Sequence, residues 1–317
     1  MDLATLICPQ CGAPLPRRAL WRTVVCTYCS AEVTHGADVV LSASFTQAYL
    51  RSRGHAATGG GTIACNGEHY KVLQSVGSGS NARVLLAQRL GALPERVVLK
   101  LAHPGTAPGR MKMEAEILHQ LQQLQHAGAA YFSQRLPQLV GHGIADEDGQ
   151  RSEALLLRSP TGYWGSLADL RHNYPQGVAA CHVVWMWRRI LEVIGFTHDA
   201  GWVHGNLAPE HLLVHPGDHG ILIIGWAAAR RHASRATLAR DLMQAAWSIR
   251  SVLHGGEDEP PITAATPAPL AALLKRASED GDWCAHMGAA GIDRELKAAA
   301  RAIFGPPRFI PFTPYQR

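Results

Sequence analysis

The 317-residue sequence predicts an α+β fold, with a small β-rich lobe followed by a helical, shortened lobe and a small β module ahead of both. Three observations predict it. Two C-x2-C pairs lie close together near the start of the chain. From Tyr70, β-rich runs follow one another, the first two joined by a glycine turn. Beyond them the apolar residues recur mainly with helical period.

Composition sets the outer bounds. Apolar residues make up 47% of the chain and charged residues 17%, which suits a large packed core and excludes global disorder. A formal charge of +5 is too mild to imply nucleic acid by itself. The 17 histidines are scattered, and their scatter carries no metal reading. The start, "MDLATLICPQCGAPLP", has neither a charged n-region nor a sustained apolar stretch, so no signal peptide is expected. The longest apolar run, "GILIIGWAAA", is too short to span a bilayer, and a cytoplasmic location without a membrane partner is the expectation. In that compartment seven cysteines stay reduced and are read for metal before disulfides.

Cys8 and Cys11 form the first C-x2-C pair, Cys26 and Cys29 the second, with fourteen residues between them. Each pair can turn two thiolates toward one point, and two such turns supply four soft ligands for a closed tetrahedral site. The intervening residues suffice for a short β-hairpin, and "RTVVCTYC" is strand-like. The pattern resembles a zinc ribbon, expected over residues 1–36. A closed site leaves no position for substrate, so the zinc would be structural. Arg17, Arg18 and Arg22 surround Trp21. So short a basic patch is expected as a solvated loop rather than a nucleic-acid contact. Residues 37–66, including "RSRGHAATGGGT", are expected as a linker.

A β-rich lobe with its hinge is expected over residues 67–160. "YKVLQSVGSGSNARVLLAQRL" supplies two strands, "ERVVLKLA" a third and "EALLLRS" a further short one. "RMKMEAEILHQLQQL" has helical period, with Glu114, Leu118 and Leu121 on one face. Residues 161–317 are expected as the helical lobe with a carboxy-terminal tail. "VVWMWRRILEVIGFTHDAG", "ATLARDLMQAAWSIRSVLHG", "PAPLAALLKRA" and "DRELKAAARAIFG" read as helices. The prolines of "GPPRFIPFTPYQR" make the tail extended, with Phe309, Phe312 and Tyr315 free to pack on its own lobe.

An ordered series of motifs from residue 67 to about 260 resembles a protein-kinase domain. "VGSGSNARV" is similar to the glycine-rich loop, with Gly77, Gly79 and Val84 in place and Ala82 where a third glycine stands in the family. "VVLK" matches the strand of the phosphate-binding lysine, here Lys100, and "MEAEIL" the helix of its glutamate partner, here Glu114. "LLLRSPTGYWGSLADL" takes the place of the hinge and following helix. "HDAGWVHGNLAPEHLL" resembles the bacterial catalytic loop, "IIGWA" stands at the metal-binding "DFG", and "ARDLMQAAWSI" matches a later helix with its aspartate, here Asp241.

The resemblance also marks what is missing. Phosphoryl transfer requires positioning, metal ions and a proton acceptor. Asn206 stands at the catalytic aspartate, and an amide does not accept a proton near neutral pH. His211 stands at the metal-binding asparagine, and imidazole is a poor magnesium ligand. Gly225 stands at the metal-binding aspartate, and Ala208 at the loop lysine. Glu210, Asp218 and Asp199 are the nearest acids, none well placed. Only fourteen residues separate Trp226 from Asp241, too few for a full activation loop. That interval reads as a basic solvated loop bearing Ser234 and Thr237 as candidate phosphosites.

The resemblance therefore implies a catalytically inactive, bacterial-type pseudokinase with an amino-terminal zinc ribbon. It would act as a scaffold or signalling protein, with ATP held at Gly77, Gly79, Val84, Lys100 and Glu114 without productive metal. A weak or atypical Ser/Thr kinase and nucleic-acid binding through the ribbon are the alternatives. Stress-response signalling, with phosphatase or von Willebrand A domain proteins as partners, is what family resemblance alone suggests.

Overall fold

The computed structural model describes residues 8, 11, 13–15, 24–30, 32–33, 61–91, 94–231, 234–255 and 266–314. The chain forms two compact units. A sheet unit comprises Arg51–Thr161 and Ile224–Arg230; a helical unit comprises Met1–Leu50, Gly162–Ile223 and Arg231–Arg317. The units are thus not consecutive: the cysteine module belongs with the helical unit, and the "GWAAAR" segment with the sheet unit.

In the sheet unit, β3 (Thr62–Cys65), β4 (Glu68–Ser78), β5 (Ala82–Arg89), β6 (Arg96–Ala102), β7 (Leu139–Glu147) and β8 (Gln150–Arg158) make a closed barrel in the order β3-β4-β5-β6-β8-β7. Alternation sets its interior. Leu85 and Ala87, Val97, Leu99 and Leu101, and Ala154 and Leu156 point inward with Ile63, Cys65 and Tyr70. Closure depends on β3, which lies inside the span 37–66 expected as linker. One side of β3 pairs with β4, the other with β7 through Ala64↔Asp146 and Cys65↔Ala145. A small sheet expected from sequence is therefore a barrel, because one extra short strand occupies the edge that would otherwise stay unpaired.

Helix α1 (Arg110–Gln122) covers β7 and β8 and buries Met111, Glu114, Ala115, Ile117, Leu118 and Leu121. Its first turn carries no acid of its own. Glu153 of β8 accepts from the amides of Gly109 and Met111 instead, supplying negative charge at the positive end of the helix. A short helix, α2 (Ala129–Phe132), follows.

The helical unit is built on α4 (Ala180–Asp199), which buries Val183, Trp185, Met186, Trp187, Ile190, Leu191 and Ile194 among others, so apolar residues face nearly all round. It packs against α5 (Arg235–His254) and α7 (Gly281–Phe304), while α6 (Ala268–Glu279) packs on α5 and α7. Gly288 breaks α7 at φ 61° and ψ 176°, a conformation for which glycine is the residue of choice. A short α3 (Leu167–Asn173) begins in a capping box between Ser166 and Asp169. Three short strands form a sheet in the order β12-β11-β9: β9 (Gly165–Ser166), β11 (Leu212–His215) and β12 (Gly220–Ile223). Another, β10 (Trp202–Val203), leads into the loop at His204.

The interval expected as a solvated loop is partly helical. α5 starts at Arg235, and Ser234 is its N-cap, accepting from the Thr237 amide at 3.3 Å while the Thr237 hydroxyl donates to the Ser234 carbonyl at 2.9 Å. Both hydroxyls are engaged in starting a helix. In the cysteine module, β1 (Val24–Val25) pairs with β2 (Glu32–Val33), so this hairpin flanks the second C-x2-C rather than lying between the two pairs. Residues 16–23, where the expected hairpin would run, lie outside the described residues, as do Arg17, Arg18, Trp21 and Arg22, the span 37–60 and Tyr315. Among the described residues, no helix is long and apolar enough to cross a membrane.

Candidate functional site

The sheet unit carries the glycine hairpin and the lysine. Between Val72 and Gln74, and again between Ser75 and Gly77, the β4–β5 register slips, so β4 carries extra residues before the turn. Gly77 then pairs with Val84, and the Gly79 amide donates to the Ala82 carbonyl at 2.9 Å. A Cβ added at Gly77 would meet no atom, and one at Gly79 only that carbonyl at 4.0 Å. Neither glycine has the positive φ that would demand one. Packing therefore gives no reason for glycine at either position.

Lys100 sits in the middle of β6, opposite Val84 of β5 and Leu155 of β8. Its Nζ donates to Glu114 Oε2 of α1 at 2.6 Å. Glu114 is 2% exposed, and the lysine side chain 20%, so the pair is largely desolvated. The pairing that the sequence resemblance implies between Lys100 and Glu114 is present. Gly225 takes the left-handed conformation, φ 80° and ψ 41°, and opens the 3-10 turn Trp226–Ala228. Trp226 is 1% exposed, and its turn packs against α1, the helix of the lysine's partner.

The helical unit carries the loop at Asn206. One face of α5 holds this loop through Asp241, Gln244 and Ser248, spaced i, i+3 and i+7. Asp241, fully buried, accepts from the amides of His204 at 2.7 Å and Gly205 at 2.8 Å, and lies 3.1 Å from His198 Nε2. Gln244 accepts from the Leu207 amide at 3.0 Å, and Ser248 donates to the Leu207 carbonyl at 2.7 Å. Asp241 is legible in the motif series; Gln244 and Ser248 are not. Their signal is polarity at i+3 and i+7 from that aspartate in a helix that also buries Ala239, Leu242, Ala245, Ala246, Ile249 and Val252.

Within the loop, His211 Nδ1 lies 2.8 Å from the Asn206 carbonyl, and His204 Nδ1 accepts from the Asn206 amide at 3.2 Å. A carbonyl can only accept, so His211 carries a proton on Nδ1, and its neutral form presents a lone pair on Nε2. Asn206 is exposed, as is Glu210, while Asp218 lies in the turn of the β11–β12 hairpin, 3.6 Å from His215. Asn206 and His211 belong to the helical unit, and Gly225 to the sheet unit. None of these three side chains is a carboxylate, the group that oxygen-seeking magnesium prefers.

The four cysteines of the two C-x2-C pairs come together. Cys8 and Cys29 sulfurs stand 3.6 Å apart, Cys11 and Cys26 sulfurs 3.7 Å apart, and all four lie within 4.8 Å of one another. A zinc–sulfur bond of about 2.3 Å places tetrahedral sulfurs about 3.8 Å apart, so the donor set fits such an ion in spacing and softness. Burial pushes the Cys11 thiol up, and the sulfurs of Cys29, Cys26 and Cys8 push the same way against a favourable Ala13 backbone contact. A divalent cation reverses that balance by stabilising the thiolates.

No protein-family model and no curated protein matches this chain. Among solved structures, the crystal structure of BubR1 kinase domain is similar, with a TM-score of 0.57 at 14% sequence identity, covering 82% of this chain and 91% of that chain. The likeness shows a protein-kinase-like fold.

Proposed function

We propose that this chain is a catalytically inactive kinase-like protein that works by binding, as a scaffold or regulator of partner proteins, with a structural zinc in its cysteine module. The observation that carries the reading is a contrast. The groups that shape a kinase frame are in place, namely Lys100 on Glu114 and Asp241 on the loop amides. The groups that would hold magnesium and accept the hydroxyl proton are replaced by Asn206, His211 and Gly225. Loss of a general base costs roughly 10²- to 10⁴-fold. Loss of metal stabilisation removes several kcal/mol more, on the order of another thousandfold. Such losses do not simply multiply, but together they leave little of a typical kinase turnover of about 1–100 per second.

Nucleotide held without productive metal is part of the proposal. Support comes from the glycines at 77 and 79, which no neighbour requires, and from the lysine charge of the buried pair. Thermal-shift titration with ATP, with and without magnesium, tests it: a shift of similar size in both conditions is expected. Lys100→Ala is a poor control, because it strands the buried Glu114 and costs about 3 kcal/mol or more. The paired Lys100→Met/Glu114→Leu variant removes both charges at similar volume and should keep its melting temperature near that of the wild type while losing the ATP shift. No shift in the wild type removes the nucleotide from the proposal. Transfer of labelled phosphate to protein substrates above background, lost in that paired variant, would overturn inactivity.

A further inference from the structure

We propose that the carboxy-terminal segment 306–312 is a working part of the cysteine module, so that metal binding and docking of this segment form one linked equilibrium. The inference rests on the structural-metal reading. Among the described residues, the module buries Cys8, Cys11, Ala13, Leu15 and Cys26, and a unit as short as residues 1–36 needs more than its own apolar burial to fold. What completes it comes from nearly three hundred residues away. The Phe309 amide donates to the Cys11 carbonyl at 2.7 Å, and the Phe309 ring packs against the buried cysteine cluster. Tyr28, inside the second C-x2-C turn, donates its hydroxyl to the Arg308 carbonyl at 2.5 Å, and its ring lies 6.1 Å from that of Phe309, edge to face.

The same turn is tied to the helical unit. Arg189 of α4, 5% exposed, donates to the Thr27 carbonyl at 3.2 Å. Phe309 stacks on His219 at 4.2 Å, and His219 on Trp185 of α4 at 4.3 Å and 6° between planes. One ligand backbone, at Cys11, and the turn that carries two others, Cys26 and Cys29, are therefore held by groups outside the module. Outer groups that orient metal ligands typically change affinity about 10- to 100-fold. Linkage is reciprocal, so the metal must favour docking of segment 306–312 by the factor with which the segment favours the metal.

The geometry also supplies a reporter. Both polar groups of the Arg308–Phe309 peptide bond are engaged, the carbonyl by Tyr28 and the amide by Cys11, and this bond follows an arginine. A protease must take such a bond out of its hydrogen bonds to cut it. The experiment uses the full chain loaded with zinc. Zinc transfer to a chromogenic chelator is timed for the wild type, for Phe309→Ala, and for Leu270→Ala, a buried change in α6 away from the cysteines. Trypsin cleavage after Arg308 is timed by intact mass with and without zinc. Phe309→Ala should release zinc about tenfold faster, Leu270→Ala should not, and zinc removal should raise cleavage at Arg308 by a similar factor. Equal cleavage with and without bound zinc, or wild-type release from Phe309→Ala, overturns the linkage and leaves the metal reading standing. A chain that takes up no zinc overturns both.

Discussion

Gly225 has no side chain, and on the proposed reading this one position withholds a metal ligand without disturbing the chain around it. Its left-handed backbone suits glycine, but aspartate tolerates that region better than most residues, at a cost of about 1 kcal/mol. Gly225→Asp should therefore fold, with a melting temperature lowered by a few degrees at most. Combined with Asn206→Asp and His211→Asn, it puts an oxygen donor at each of the three positions on which the proposed inactivity rests. The triple variant should gain a magnesium-dependent increment in its ATP thermal shift that the wild type lacks. A wild type that already shows this increment would mean that other side chains hold the ion. His211 carries a further consequence: with Nδ1 on the Asn206 carbonyl, the Nε2 lone pair of its neutral form is a donor that suits zinc better than magnesium.

Helix α5 works as an element because Asp241, Gln244 and Ser248 repeat on one face while apolar residues such as Leu242, Ala246 and Ile249 are buried. Asp241, Gln244 and Ser248 together engage three amides and a carbonyl of residues 204–207. Asp241→Ala leaves the His204 and Gly205 amides without their acceptor in a buried setting, at about 1–3 kcal/mol for each. A loss of about 3 kcal/mol or more in urea unfolding is expected, with Asp241→Asn intermediate. A loss below about 1 kcal/mol would show that the loop holds itself. The start of α5 is legible in "ATLARDLM", a helical reading from Ala236 that falls one residue after the observed Arg235, although its arginines and serine-threonine pair also read as solvated loop. It forms because Ser234 satisfies an orphan amide and the apolar face that follows is buried. Helix α1 makes the complementary case. Its period is readable, but its first turn has no acid, and the anion comes from Glu153 on β8.

Across the helical unit, His219 joins segments that are far apart in sequence. It is 1% exposed, stacked between Trp185 and Phe309, with Tyr28 edge-on at 6.0 Å. Burial holds its imidazole down to about 3, with His182 and Arg189 acting in the same direction and the Ile310 backbone opposing them. The depressed value fixes the sign. Above about pH 6.5 neither the folded nor the unfolded state binds a proton there, and stability is unaffected. Between about 6.5 and 3 the unfolded chain takes up a proton that the folded chain refuses, so stability falls as pH falls. His219→Phe keeps an aromatic ring in the stack, at some cost because this position has a φ of 48°. Its unfolding free energy should decline less steeply than that of the wild type from pH 6.5 to 4. Parallel slopes would show that the imidazole is not the acid-sensitive group.

Sequence by itself determined the four-cysteine cluster, the succession of a β-rich and a helical part, the Lys100–Glu114 pair and the absence of acids at 206, 211 and 225. Each of these follows from residue type, spacing or period over a few neighbouring positions, and such local signals survive without coordinates. Only the tertiary structure decided that Thr62–Cys65 closes the sheet into a barrel, that Glu153 serves α1, and that Phe309 and Tyr28 bind the chain's two ends together. These are single contacts between residues tens to hundreds of positions apart. A strand of four residues, one glutamate or one phenylalanine carries no periodic signal, and its meaning exists only once folding has brought its partner within a few ångströms.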